Sequence, residues 1–408
     1  MKILQIVSSL FLLITFTSCN WFQIEKQPKE IVLDQKSAQL VESNNTFGFD
    51  FFETVVAGEE AGKNIMVSPL SVSQALSMAV NGAAGNTLTQ MQQALGFDGF
   101  TLDELNWSNQ NVVNSLLNHD SKVKIEIANS IWYKDNFSIK SGFIENNKSF
   151  YNAEVSSFDH TQPEKAKDAM NKWVDDKTNG KIDKIIDEVN ADDVMFLINA
   201  IYFKAQWKTE FKKKDTELVT FTLDDGTKKE VETMIGKVEL NYYNDEKFSV
   251  IKLPYGYGKF DMLIYLPGEG YTTKDIVPEI AKTDFDQLGL LSLNERELYL
   301  PKFEFSYENK LNDELEAMGM ADAFSQDFAN FENISNEDIF ISKVMHKTYI
   351  KTDEEGTEAA AVTSVSFTNM AIGPSEIIKV DHSFLFAIVE EDTHSILFIG
   401  RVFDPSMK

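Results

Sequence analysis

Apolar residues recur along this chain with two periods, and the switches between them mark out its elements. Leu40, Phe47, Phe51, Phe52, Val55 and Val56 fall on one face at helical spacing. Residues 64–69 form a short apolar strand that ends in a helix start, with Ser68 placed to cap and Pro69 at the first helical position. The helix predicted from 70 to about 82 is apolar on nearly all sides, the mark of a buried helix. After a break at Gly85-Asn86-Thr87, residues 88–95 resume as a helix closed by Gly96. Residues 125–133 alternate and are rich in β-branched and aromatic side chains, which predicts a strand. Ala166, Ala169, Met170, Trp173 and Val174 share the face of a helix over 166–177, with Gly180 just past its end. Residues 194–204 are a continuous apolar run of strand length, expected of a strand buried on both faces. Strands are also predicted at 219–223, 248–253, 260–266 and 298–305, a helix at 307–318, and two closing strands at 384–390 and 395–403.

Helices and strands are mixed throughout, with no repeat and no linker, so residues 40–408 read as one α+β domain. Ahead of it, Lys2 precedes an apolar stretch that is too short to span a bilayer and ends in Phe16-Thr17-Ser18-Cys19-Asn20. Small residues directly before a lone Cys resemble a bacterial lipobox. Residues 1–18 then form a signal segment, and Cys19 carries acyl chains that anchor an exported protein to the bacterial outer membrane or cell surface. An ordinary secretory signal that happens to carry a Cys is the other reading. Residues 19–39, polar and mixed in charge, read as the lipidated Cys and a flexible tether.

Charge and motifs narrow the chemistry. A net charge of −26 repels phosphate, which argues against nucleic-acid binding. Cys19 is the one cysteine, so disulfides within the chain and Cys-rich zinc sites are excluded. No GxSxG, HExxH, Walker or dinucleotide motif occurs, and His119, His160, His346, His382 and His394 show no metal-ligand spacing. The sequence therefore predicts neither an enzyme nor a cofactor.

One segment stands apart. From Asp353 to Ala371, one period-two face carries Thr357, Ala359, Ala361, Thr363 and Val365, small or β-branched and uncharged. The other carries Glu358, Ala360, Val362, Ser364 and Ser366 and tolerates water. The run has no Pro and is far less apolar than 194–204, so it can join a sheet without being driven to do so. On pattern alone, a weak edge strand or surface loop is an equally good reading of the segment.

The hinge Glu354-Glu355-Gly356-Thr357-Glu358-Ala359-Ala360-Ala361 resembles that of inhibitory serpins. Val380 to Ile388, with Ser383 where Pro is more usual, is similar to the family's C-terminal signature, and Phe398-Ile399-Gly400-Arg401-Val402 with Pro405 completes it. Asn64 to Pro69 with Ser71, Asn171 to Val174, Thr178 to Ile182, Asn199 to Lys204, Trp207 and His346-Lys347 also fit, in order. The resemblance implies the serpin fold: three β-sheets with eight to nine helices and an exposed reactive-centre loop at about 354–378. It further implies a monomeric suicide inhibitor that traps the acyl-enzyme of a serine, or papain-like cysteine, endopeptidase by inserting its cut loop into the central sheet. The alternative is a non-inhibitory binding or structural lipoprotein on the same fold.

The hinge positions Glu354, Gly356, Thr357, Glu358, Ala359, Ala360, Ala361 and Thr363 lack the bulk and charge on the inserting face that would stall insertion. Ser68, Ser71, Asn199 and His346 match the family's polar cluster beneath the sheet. Trp207 matches the aromatic where insertion begins, although simple core packing explains it equally well. The family's usual spacing from Glu354 puts the scissile bond between Met370 and Ala371, with the neighbouring bonds at Thr368, Asn369 and Ile372 open. No Lys or Arg lies between Lys351 and Lys379, so the expected partners are elastase-, chymotrypsin- or subtilisin-like and not trypsin-like proteases.

Overall fold

The computed structural model describes residues 27–358 and 376–408. Fifteen strands occur among them: β1 (Ile65–Val67), β2 (Val123–Lys134), β3 (Glu154–Phe158), β4 (Met195–Gln206), β5 (Thr216–Thr222), β6 (Lys228–Asn244), β7 (Phe248–Tyr255), β8 (Phe260–Pro267), β9 (Asn294–Pro301), β10 (Phe303–Lys310), β11 (Lys343–Asp353), β12 (Gly356–Thr357), β13 (Ile377–Lys379), β14 (Phe384–Glu390) and β15 (Ile396–Val402). The helices are α1 (Gln35–Gly58), α2 (Pro69–Val80), α3 (Gly85–Ala94), α4 (Leu102–Leu116), α5 (Ser141–Tyr151), α6 (Pro163–Lys177), α7 (Thr273–Ile280) and α8 (Phe285–Gly289), with a broken helical stretch over 312–324. None is long and apolar enough to cross a membrane.

The strands make a six-stranded sheet, β10-β11-β12-β4-β2-β3, and a nine-stranded one, β1-β15-β14-β8-β7-β6-β9-β13 with β5 on β6. The second is two sheets in one. The start of β6 pairs with β5 and with β9, whereas Asn241 to Asn244 pair with β7. The three sheets implied by the resemblance are thus one separate sheet and two joined through β6.

Alternation along β4 explains how the six-stranded sheet is buried on both sides. Leu197, Ile201, Phe203 and Ala205 join the main core with α1, α2 and the apolar strands β8, β14 and β15. Phe196, Ile198 and Ala200 join a second cluster with Met170, Trp173 and Val174 of α6. All twelve residues of α2 are buried, as its lack of a polar face requires.

Three expectations are corrected. The predicted tether ends sooner, because Asp34 caps α1 by accepting from the Lys36 and Ser37 amides, and the Ile31 amide donates to Asp392. Residues 298–305 belong to two strands that part at Lys302. Residues 307–310 are not helical: Tyr307 faces Thr348 and Lys310 faces Met345 in the ladder with β11, and that pairing overrides the helical spacing. Helix begins only at Asn312 and breaks at Gly319, where φ is 104°.

Candidate functional site

The site is the seam between β11 and β4, which differs at its two ends. Over Lys343 to Lys347 the strand β11 pairs directly, in parallel, with Phe196 to Ala200 of β4. At the other end β12 lies between them, with Thr357 facing Thr352 and Ala205, and Gly356 facing Asp353 and Gln206. The hinge is therefore not wholly held out as bait, as the resemblance implied. Its first residues already occupy the sheet, because their amides and carbonyls find ladder partners there that an unpaired edge would lack.

Each hinge residue is fixed by a distinct contact. Gly356 has φ of 149°, and a Cβ there would sit 2.1 Å from the Ala205 carbonyl oxygen, so no side chain fits. Thr357 is buried, and its hydroxyl shares a 2.6 Å hydrogen bond with that of Tyr255. The Tyr255 ring stacks on Trp207 at 4.4 Å, and the Trp207 indole N–H donates to the Asp353 carbonyl at 2.9 Å. Trp207 thus braces the bend from β11 into β12, in addition to filling core. Glu354 is buried too. Burial alone would raise its carboxyl, but the Thr216 hydroxyl at 2.7 Å, its own backbone and Lys302 at 3.3 Å outweigh this and hold it below the usual range.

Glu358 departs from the period-two reading, which put it on the water-tolerant face. It is buried, with φ of 52°, a left-handed conformation rare for this residue type. Its amide donates to the Lys351 carbonyl at 2.8 Å and its carboxylate pairs with Lys181. Burial, and then the Glu358 charge, push the neighbouring Tyr202 hydroxyl up. Lys181 supplied no signal toward Glu358 in the sequence, since their contact depends on the loop that follows α6.

Beneath the directly paired end, the structure brings Ser68, Ser71, Asn199 and His346 together. The Ser68 amide donates to His346 Nε2 at 3.1 Å, and its hydroxyl donates to the Leu397 carbonyl at 2.6 Å. Ser71 donates to Asn199 Oδ1, and Asn199 Nδ2 donates to Asn129 at 2.6 Å. Asn199 and His346 are direct neighbours in the parallel ladder. Burial pushes the His346 imidazole down to about 3, so it is neutral and accepts at Nε2. Asn129 and Gln74 extend the network; lone amides in apolar stretches gave no sequence signal of that role. Ala359, Ala360, Ala361, Thr363, Thr368, Asn369, Met370, Ala371, Ile372 and Cys19 lie outside the described residues.

A family model described as serpin (serine protease inhibitor) matches residues 42–405. Among curated relatives, an uncharacterized serpin-like protein of Methanosarcina acetivorans is 32% identical over 89% of this chain and 85% of its own length. The leukocyte elastase inhibitor of Equus caballus is 32% identical over 90% of this chain and 100% of its own. The native-state crystal structure of the thermophilic serpin tengpin superposes with a TM-score of 0.83 at 33% identity, covering 92% of this chain and 96% of that one. The family model spans most of the chain and the relatives are covered over most of their own length, so the chain belongs to the serpin family.

Proposed function

We propose that this serpin is a lipid-anchored suicide inhibitor of endopeptidases, exported and held at the bacterial membrane through Cys19. The observation that carries the reading is the seam: β12 is antiparallel to both β11 and β4, whereas β11 and β4 are parallel to each other where they touch. A strand growing on from Thr357 replaces one parallel ladder by two antiparallel ones, which are somewhat more stable per residue and double the hydrogen bonds. While the loop is intact, β13 restrains its far end by pairing with β9. Cutting the loop removes that restraint.

The covalent step balances simply. The protease nucleophile adds to the carbonyl of Met370, the Met370–Ala371 C–N bond breaks, the nucleophile's proton leaves with the Ala371 amine, and an acyl-enzyme remains on Met370. Insertion then competes with water for that acyl bond. An unbranched, uncharged Met370 at the attacked bond and the absence of Lys and Arg from the loop favour elastase-, chymotrypsin- or subtilisin-like targets. The name of the equine relative points the same way. A papain-like thiolate gives an equivalent acyl-enzyme, so such proteases fall within the reading.

Incubation with a panel of these proteases should give an SDS-resistant adduct of inhibitor and enzyme, with the released peptide beginning at Ala371. Cleavage by every enzyme of the panel with no adduct would overturn inhibition and leave a binding role on the serpin scaffold.

A further inference from the structure

Away from the seam, the turn after α4 meets the β14–β15 turn. Asn118, at φ of 58°, swings the chain out of α4 and turns His119 inward, where the ring packs edge-on against Phe260. The His119 side chain is 9% exposed, and its Nε2 lies 3.8 Å from Glu390 Oε1 and 3.6 Å from Asp392 Oδ2. Both distances are beyond a hydrogen bond, and Nε2 is a buried nitrogen with no hydrogen-bond partner. The three ligand atoms lie within 4.8 Å of one another.

We propose that His119, Glu390 and Asp392 form a binding site for a divalent transition ion of the zinc type. Bonds of about 2.1 Å in a tetrahedron separate ligand atoms by about 3.4 Å, so the two spacings from His119 need contract only slightly around an ion. One imidazole with two carboxylates is a donor set such ions accept, whereas magnesium and calcium prefer all-oxygen shells. The carboxylates are held in place by hydrogen bonds, as metal ligands usually are, some of these falling on the facing oxygens themselves. Glu390 accepts from the Asp392 amide at 3.1 Å, the Thr393 amide at 2.8 Å and the Thr393 hydroxyl at 2.6 Å. Asp392 accepts from the Ile31 amide at 2.9 Å and from Lys259 at 2.6 and 2.8 Å. The Lys259 ammonium offsets one of the two negative charges and leaves the other for the ion. Filling the site joins the end of α4, the β14–β15 turn and, through Asp392, the backbone at Ile31.

The test uses the purified full-length chain in detergent, stripped by a chelator and titrated with Co2+ and then Zn2+. The expected result is one equivalent of Co2+ with the visible band of a tetrahedral site, bleached by Zn2+, and a rise in melting temperature on adding either ion. His119→Gln weakens binding about 100-fold, and Asp392→Asn gives the same readout should the first variant fold poorly. His160→Gln leaves binding unchanged, since that exposed ring already holds Asp135 at 2.6 Å. Absence of the band in the wild type, or a band that survives both His119→Gln and Asp392→Asn, overturns the proposal.

Discussion

Thr357 and Tyr255 are joined hydroxyl to hydroxyl at 2.6 Å across the mouth of the seam, and this contact adds a side-chain tie between β12 and the end of β7. Thr357→Arg would force a cation against the stacked rings of Tyr255 and Trp207. Slowing insertion by about 1.4 kcal/mol shifts its competition with hydrolysis tenfold. The expected outcome is a ratio of cleaved to complexed inhibitor raised at least about tenfold, read by titrating an elastase-like enzyme. Tyr255→Phe, which removes only the hydroxyl, should cost about 1 kcal/mol and leave inhibition intact.

Gly356→Ala places a methyl group against the Ala205 carbonyl, which is backbone and cannot yield. β12 should leave the sheet, and the amides of Trp207 and Glu358, bonded to Glu355 and Lys351, should lose protection in hydrogen exchange by about tenfold or more. Unchanged protection would show that the close approach is tolerated.

Lys181→Met removes the cation that compensates Glu358 in the slot. The left-handed backbone at Glu358 already costs about 1 kcal/mol, so the unpaired carboxylate should draw the hinge outward. Faster attack on the loop by a low concentration of subtilisin would be the sign; an unaltered cleavage rate would remove the pair from any role in hinge placement.

The buried imidazole of His346 makes stability depend on pH. Its folded value, about 3, lies below the unfolded value near 6.5, so the stability it contributes is present above pH 6.5 and is lost as pH falls toward 3. Between pH 7 and pH 5 this group alone accounts for about 2 kcal/mol. Chemical denaturation of wild type and His346→Gln across that range should show the wild type losing more by this order. Parallel pH profiles would contradict the assignment.

Much of this was legible in the chain because burial writes itself as pattern. β4 was read from an unbroken apolar run, α2 from the lack of a polar face, and the Ser68 cap from the residues on either side of it. What escaped is set by pairing at a distance. β6 is charged along much of its length, and only its neighbours β5, β7 and β9 make it a strand. α4 carries a Thr101–Glu104 capping box but has polar residues along most of its length, so its apolar stripe is faint. The shallow entry of the hinge into the sheet could not be inferred from residues 356–358, because what admits them is the gap between β11 and β4, the latter far away in sequence.

That gap also sets how long the protein can wait. Starting a new strand is the costly part of extending a sheet, and here β12 has already been started. On the proposed mechanism, what keeps the intact molecule from completing the insertion unprovoked is a kinetic barrier, the ladder around His346 and Asn199 that must open first. Heat that loosens this ladder would disarm the trap without any protease. On that mechanism the working lifetime of the protein is a rate measured from storage, independent of its equilibrium stability.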